Sequence, residues 1–207
     1  MDTLKLTVIQ TIETQLMSFG FSYVNKHGWF HRKREYGVDY YVPIFVDIGN
    51  GYEVTLTAAL HINRIEDLFH KTSGIDKKAQ KDFFTLGIDF WRLYGREKYV
   101  FRVSDEPSAA TAGRELKNIF EEHAVAFYDR FSDVARIDEA LNSAPQEPCI
   151  YRLMPWLRAS TGVISSKLSA QGNYDGLVSV YREQMKSLAD GFYLPRFDSL
   201  ITSLEGL

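Results

Sequence analysis

The five histidines of this sequence are the side chains best suited to bind a metal ion. His27 and His31 are four residues apart, so on one extended strand they would lie ~13 Å apart, too far to share an ion. His31 and His61 could meet only across two strands in matching register. We therefore expect no metal site and no cofactor, and we expect histidines that titrate near neutral pH.

The only cysteine, Cys149, lies in the segment EPCIY. A nucleophilic cysteine needs a base within hydrogen-bond reach, and the neighbouring residues include none. We expect Cys149 to be a small buried hydrophobic residue. A single cysteine cannot form an intramolecular disulfide, which favours a reducing compartment.

Acidic residues in or beside predicted strands are the next candidates for chemistry. Asp47, Glu53 and Asp89 resemble the strand acids of restriction-type nucleases, but those enzymes also use a Glu-x-Lys pair. The lysine position after Glu53 holds Thr55, so we expect acids on the solvent side of a half-exposed sheet. An enzyme acting through Asp47, Glu53 and His61 stays an alternative that requires the three side chains to converge.

The most unusual segment is GWFHRKREYG, residues 28–37. As a strand it would place successive side chains on opposite faces. One face would carry Trp29, His31, Lys33 and Glu35, and the other Phe30, Arg32, Arg34 and Tyr36. Neither face is purely apolar, so this strand is not expected to lie in a core that buries both of its faces.

This basic ribbon, residues 29–36, has three interpretations. Cations commonly protect a strand at the edge of a sheet, and this is the interpretation we favour. The same residues could bind an acidic protein partner, or could bind nucleic acid together with Lys77, Lys78 and Lys81. A net charge of −3, from 24 Lys+Arg and 27 Asp+Glu, argues against a general nucleic-acid-binding protein.

The elements that position these residues follow from periodicity. Residues 3–18 predict a helix with Thr3 as a possible N-cap and a C-terminal stop at Gly20. Its apolar face comprises Val8, Ile9, Ile12 and Leu16. Residues 21–24 predict a short strand that pairs through a turn with the basic ribbon. Residues 37–62 predict an antiparallel meander, in which Pro43 indicates an edge position or a bulge. FFTLGIDFWRL and KYVFRV predict two further strands.

Beyond Val103 the pattern becomes helical, with helices near 133–142, 155–170, 174–190 and 195–205. Strands followed by helices indicate an α+β fold: an N-terminal helix, an antiparallel β-meander of five to six strands and a C-terminal helical segment. We expect an α+β sheet domain over 1–143 and a helical extension over 144–207 that packs on it in one compact unit.

The N-terminal segment MDTLKLTVIQTIETQL lacks the basic flank of a signal peptide. The sequence has no run of 18 apolar residues, so no membrane span is expected. We therefore expect a soluble cytoplasmic protein without a membrane partner.

The layout of these segments resembles small bacterial immunity-type proteins and uncharacterised bacterial domain families with the same helix–meander–helix arrangement. The resemblance covers most of the chain. It is carried by FGFSYVNKHGWFHRKRE, FFTLGIDFW, AVAFYDRFSDVARIDEAL and GVISSKLSAQGNYDGLVSVY. It implies a bacterial binding protein that neutralises a partner, plausibly a toxin, by occupying its surface, and it implies no catalytic residues.

We therefore expect a protein partner more than a nucleic acid, and a binding protein more than an enzyme. Such surfaces depend on a few aromatic and arginine anchors. The anchors that we expect are Trp29, Arg32, Arg34, Tyr36, Tyr40 and Trp91. The alternative function is a nucleic-acid-associated protein that uses the basic ribbon.

If Arg32 and Arg34 contact a partner and do nothing else, replacing both with Glu should abolish partner binding and leave thermal stability nearly unchanged. Partner titration and thermal unfolding of the double variant would test this expectation. A large loss of stability would instead indicate that these arginines belong to the fold.

Overall fold

The computed structural model describes residues 2–80, 83–93, 100–170 and 172–207, and it has an α+β fold. The strands are β1 (Ser22–Val24), β2 (Trp29–Arg34), β3 (Gly37–Asp47), β4 (Tyr52–Ile62), β5 (Leu86–Asp89) and β6 (Phe101–Val103). The helices are α1 (Thr3–Ser18), α2 (Asn63–His70), α3 (Lys77–Gln80), α4 (Phe90–Leu93), α5 (Glu106–Ile119), α6 (Val125–Phe131), α7 (Val134–Asn142), α8 (Pro155–Ser169), α9 (Tyr174–Ser187) and α10 (Leu194–Leu204). A π-helical turn, Phe120–Ala124, joins α5 to α6, and a 3₁₀ turn, Leu188–Gly191, follows α9.

The six strands form one antiparallel sheet in the order β1-β2-β3-β4-β5, with β6 also paired to β4. Strands β2 and β3 form a hairpin whose register pairs Arg34 with Gly37 at one end and Phe30 with Tyr41 at the other. The predicted fold class and the predicted number of strands are therefore confirmed.

The chain forms two compact units, and each unit is built from two separate stretches of the sequence. Unit 1 comprises residues 1–60 and 87–129, and unit 2 comprises residues 61–86 and 130–207. The domain division predicted at residues 143–144 stays a prediction.

Helix α1 packs along helix α5 in unit 1. The predicted apolar face of α1 is confirmed, because Val8, Ile9, Ile12 and Leu16 are all buried. The predicted cap is wrong by one residue. Asp2 is the N-cap, since its carboxylate accepts a hydrogen bond from the Leu4 N–H at 3.0 Å, and a carboxylate also suits the positive end of a helix.

The segment FFTLGIDFWRL, which was predicted to form one strand, is a short strand followed by a helical turn. Strand β5 ends at Asp89, and helix α4 begins at Phe90. The Asp89 carboxylate accepts the Thr57 hydroxyl at 2.6 Å at the point where the strand ends. Of KYVFRV, Lys98 and Tyr99 lie outside the described residues, and β6 begins at Phe101.

Pro43 lies at an edge, which is one of the two positions that the sequence analysis left open. The β2–β3 register ends at the Phe30–Tyr41 pair, whereas β3 continues to Asp47. Within the described residues, the second half of β3 therefore has β4 on one side only. Proline is compatible with such a position, because an N–H on the open side of an edge strand has no neighbouring strand to bond.

Unit 2 is built around helix α8, which packs against helices α2, α7, α9 and α10. Tyr181 of α9 is fully buried, and its hydroxyl donates to the Asn142 side chain at 2.8 Å. Asn173 caps α9 by accepting from the Gly176 N–H. Among the described residues, no helix is both long and apolar enough to cross a membrane.

The close contact of α1 with α5 depends on Gly113. A Cβ atom added to Gly113 would lie 2.5 Å from the Cβ of Thr11. We expect Gly113→Ala to lower the free energy of unfolding by about 1–2 kcal/mol, because overpacking outweighs the gain in helix propensity. Chemical denaturation would measure this loss. The control is Gly206→Ala, which meets nothing within 4 Å, and equal stability of both variants would contradict the argument.

Candidate functional site

The inner face of the β2–β3 hairpin is organised around the carboxylate of Asp39, which is fully buried. Arg32 donates to its Oδ2 from Nε at 2.9 Å, and Nη2 lies 2.8 Å from the same oxygen. The Tyr36 hydroxyl donates to Oδ1 at 2.5 Å. Arg32 also donates from Nη1 to the Phe19 carbonyl at 3.1 Å. Two of the predicted anchors are thus bound to one buried acid.

Aromatic rings enclose the same guanidinium. Its central carbon lies 4.7 Å from the ring centre of Phe21 and 5.6 Å from that of Tyr128. Burial raises the pKa of Asp39, and the hydrogen bonds from Tyr36 and Arg32 oppose that rise. Both side chains therefore stabilise a carboxylate within the fold. Their role as partner-binding residues stays a prediction.

The outer face of the hairpin carries Trp29 and Tyr40. The Trp29 ring is half-buried, stacks on His27 with 4.5 Å between ring centres, and meets Tyr40 edge-on at 5.5 Å. Tyr40 itself is buried. Of these two predicted anchors, Trp29 is the one with surface available for a partner.

Arg34 and Trp91 lie apart from this pair. Arg34 is exposed at the end of β2, with its guanidinium 5.7 Å from the ring centre of Tyr36. Trp91 belongs to α4, and the Arg92 guanidinium lies 4.1 Å from its ring centre. The sheet order puts β3 and β4 between β2 and β5, a separation of roughly 14 Å at ordinary strand spacing. The structure thus does not gather the six predicted anchors into one cluster.

An apolar row on the outer face of β3 was missed by the sequence analysis. Tyr40, Val42, Ile44 and Val46 alternate with the inward-facing Asp39, Tyr41, Pro43 and Phe45. Ile44 is 39%, Val46 51% and Ile48 42% exposed. On the opposite face, Tyr41 is buried and donates its hydroxyl to the Leu116 carbonyl. We call Ile44, Val46 and Ile48 the exposed row.

A second group that the sequence analysis missed is a buried ionic cluster in unit 2. Glu66 of α2 accepts from the Thr85 hydroxyl at 2.7 Å, and its other oxygen lies 3.4 Å from Nε2 of His70. Arg152 interacts electrostatically with Glu66 and donates to the Phe84 carbonyl. Burial raises the pKa of Glu66 and lowers that of Arg152 to about 10. Glu66 and Arg152 are far apart along the chain, so no sequence motif could have predicted that they interact.

The neighbourhood of His70 superficially resembles a Ser-His-Glu arrangement. Nδ1 of His70 lies 3.1 Å from the Ser73 hydroxyl, and Glu66 is next to its other nitrogen. Ser73 is buried, however, and its oxygen accepts the Ile75 N–H at 3.2 Å. A nucleophile must be accessible to a substrate, so these contacts serve to close the end of helix α2.

The other candidates for chemistry do not converge. Glu53 and His61 lie on β4 eight residues apart, which is ~26 Å along a strand. Asp89 accepts the Thr57 hydroxyl at 2.6 Å. Across the described parts of the chain, no group of three or more His, Cys, Asp or Glu residues is placed to hold a metal ion.

The remaining expectations concern Cys149 and the lysines. Cys149 is buried, as predicted. Lys77 and Lys78 are exposed on α3 in unit 2, whereas Lys81 lies outside the described residues. The lysine cluster proposed to extend the basic ribbon is therefore only partly described.

Comparison of the chain with protein-family models, with curated proteins and with solved structures finds no match. The resemblance to immunity-type proteins stays a prediction. Since no residue role can be carried over from a relative, the interpretation of the site depends on the contacts described above.

The hydrogen bonds of Arg32 to buried Asp39 change the effect on stability that we expect when Arg32 is replaced. Arg32→Ala leaves the Asp39 carboxylate buried without its cation, and we expect a loss of about 3–5 kcal/mol in unfolding free energy at pH 7. Arg34→Ala, at an exposed position, should stay within about 0.5 kcal/mol of the wild type. Chemical denaturation of the two variants would measure the difference.

The loss in Arg32→Ala should also depend on pH. Without Arg32 the pKa of Asp39 rises further, so the folded state holds the proton more tightly than the unfolded state does. The stability of the variant then falls as pH rises through that pKa. We expect a smaller loss at pH 4 than at pH 7, and a loss that is equal at both values would contradict this account.

Proposed function

We propose that this chain is a non-catalytic binding protein of the bacterial cytoplasm, of the immunity type. It would neutralise an acidic protein partner by occupying that partner's surface with the outer face of its β2–β3 hairpin. The observation that carries this proposal is the exposed row. Ile44 and Val46 lie on the part of β3 that continues beyond β2, and Ile48 follows the end of that strand.

Apolar residues at alternate strand positions share one face, so Ile44 and Val46 form a continuous surface. Single exposed apolar residues are ordinary, whereas contiguous ones favour an interface. Trp29 extends the surface onto β2, because the register continued beyond Phe30–Tyr41 places Trp29 opposite Val42. A half-buried tryptophan beside exposed aliphatic residues has the composition of an interface centre.

The turn end of the hairpin is basic, and it lies ~20 Å along β3 from Ile44, because Lys33 pairs with Val38. Lys33 and Arg34 are both exposed at the turn end of the hairpin. Burial, and secondarily Lys33, lowers the pKa of His31, so its ring adds little charge at neutral pH. These two exposed cations would favour the approach of an acidic surface from a distance, with their main effect on the association rate.

Arg32 and Tyr36 have a different part in this proposal. Both are bound to Asp39 on the inner face, so they would hold the hairpin in shape without contacting the partner. Trp29 keeps its expected role as an anchor. Arg34 pairs with Gly37 on the same face as Arg32, ~23 Å along β3 from Ile44, so it would act on a partner only through its charge. Tyr40 would support Trp29 from beneath, and Trp91 would lie outside the interface.

The proposal predicts that Ile44→Ser with Val46→Ser weakens partner binding at least tenfold, because two contacts at the interface centre are lost. The melting temperature should change little, since both side chains are exposed. The matched control is Leu6→Ser with Met17→Ser, two exposed apolar residues of helix α1. This control should bind like the wild type.

The measurement begins with capture by the tagged wild-type chain from nuclease-treated and untreated native cytoplasm. The captured protein is then purified and titrated with each variant. Equal affinity for the wild type and the Ile44/Val46 variant would rule out this surface. Loss of every partner after nuclease treatment, with binding that falls steeply as salt rises, would instead support the nucleic-acid alternative.

A further inference from the structure

Unit 2 contains a cleft of about 530 Å³ that is lined by residues of helices α7, α8 and α9. A cleft of this size suits a small molecule. Positions 135, 138, 139 and 142 of α7 line it, and their spacing puts them on one face of that helix. Among the described residues of the wall, none is basic. The residues that matter for its chemistry are Ala135, Asp138, Glu139, Asn142, Ser143 and Val180.

Asp138 brings a buried carboxylate to this wall. Only 7% of the residue is exposed. Its Oδ1 accepts a hydrogen bond from Nδ2 of Asn142, another residue of the wall, at 2.5 Å, and its Oδ2 accepts from the Ser169 hydroxyl at 2.6 Å. Both donors are neutral. A carboxylate has about four acceptor positions, so these two bonds leave it able to accept more.

Asp138 differs from the other buried acids in having no cation beside it. The buried acids of the described chain are Asp39, Glu66 and Asp138. Asp39 is paired with Arg32, and Glu66 faces Arg152. Asp138 forms no ion pair with the described residues. Because a buried charge is costly unless it is paired, a cation in the cleft would supply what this carboxylate lacks.

Two cations of unit 2 lie in the same region and are engaged elsewhere. Arg158 and Asp138 both act electrostatically on Tyr181, but the guanidinium of Arg158 donates to three main-chain carbonyls. Lys167 of α8 has its Nζ 5.1 Å from the ring centre of Tyr174. Neither side chain is within ion-pair distance of the Asp138 carboxylate.

A second acid, Glu139, faces the cleft and is accessible to a ligand. Its side chain is 54% exposed, and it pairs at 3.0 Å with Arg136, whose side chain is 59% exposed. An ion pair as exposed as this one is weak, so Glu139 can exchange it for a cation in the cleft. Glu139 therefore offers a contact at the surface, and Asp138 adds negative charge deeper in the wall.

The helix ends at the cleft add further negative character. Helix α7 ends at Asn142, and the last turn of α8 includes Ser166, and both residues line the cleft. The carbonyl end of a helix carries a negative partial charge. Helix α9 begins here with the opposite partial charge, but Asn173 caps it and Asp175 lies in its first turn.

We propose that this cleft binds a small organic cation, with an ammonium or guanidinium group on a short apolar chain. The cationic group would lie between Glu139 and Asp138, and the apolar chain would lie against Ala135 and Val180. The site goes beyond the proposed function, because it belongs to unit 2 whereas the hairpin surface belongs to unit 1. Failure of either proposal would leave the other untouched.

The direct test uses the wild-type chain labelled with ¹⁵N. n-Butylammonium chloride, methylguanidinium chloride and n-butanol are titrated into separate samples at constant ionic strength, while amide signals are followed by NMR. We expect saturable shifts at Glu139, Val180 and the side-chain amide of Asn142 with at least one of the cations, and none with n-butanol. The cation that binds more tightly would identify the preferred group. No saturable shift with either cation, or equal shifts with n-butanol, would overturn the proposal.

Asp138→Asn removes the buried charge and keeps the size of the side chain. We expect the dissociation constant to rise at least tenfold and the melting temperature to stay equal or rise, because an unpaired buried charge is lost. The matched control is Asp198→Asn, the same change at a half-exposed acid of α10 outside the cleft. Equal weakening by both variants would reveal non-specific electrostatics and refute the site. A lower melting temperature with unchanged affinity would show that Asp138 serves the fold alone.

Ser143→Lys tests the cleft without changing a buried residue. Ser143 is exposed and lines the cleft, so the variant should fold normally, and its added ammonium group should raise the dissociation constant severalfold by repelling the ligand. Ser199→Lys makes the same change at an exposed position of α10 and should bind like the wild type. Unchanged affinity in Ser143→Lys would contradict the proposed position of the cation.

Discussion

The buried carboxylate of Asp39 imposes the constraint on which unit 1 depends. A charge inside a protein must be paired and hydrogen-bonded, or the folded state becomes costly. Arg32 meets this need while also reaching the Phe19 carbonyl and lying over Phe21 and Tyr128. One guanidinium thus connects the end of α1, the residue before β1, the β2–β3 hairpin and α6. The hairpin that presents the outer face is held from the inner face by this contact.

In unit 2, too, buried arginine side chains bind main-chain carbonyls from several segments. Arg158 donates to the carbonyls of Leu141, Ala144 and Glu147, and Arg152 reaches the Phe84 carbonyl while facing Glu66. A guanidinium has five N–H donors in a fixed plane, so it can satisfy several carbonyls that no helix or strand pairs. Irregular segments can therefore be ordered without a large apolar core of their own.

Much of the architecture was predictable because local periodicity decides it. The apolar face of α1, the Asn173 cap and the edge position of Pro43 each follow from a few neighbouring residues. The Arg32–Asp39 pair was also within reach, since a hairpin that turns at Glu35 and Tyr36 places those two residues opposite each other. The exposed row was hidden, because YYVPIFV is apolar on both faces and only packing distinguishes the two faces. Glu66 and Arg152 could not have been paired, because their contact depends on tertiary structure alone.

The discontinuity of unit 1 has a consequence for synthesis on the ribosome. Its core is closed by bonds between distant parts of the chain: Tyr41 to the Leu116 carbonyl, 75 residues on, and Tyr128 to the Tyr40 carbonyl, 88 residues back. The hairpin that emerges first therefore lacks its inner covering until α5 and α6 have left the exit tunnel. Until then, Asp39 and Arg32 remain accessible to water, and the nascent strands depend on local contacts such as Trp29 with His27. Folding of this unit is therefore delayed until residues up to 129 have left the exit tunnel, after the first segment of unit 2, residues 61–86, has also emerged.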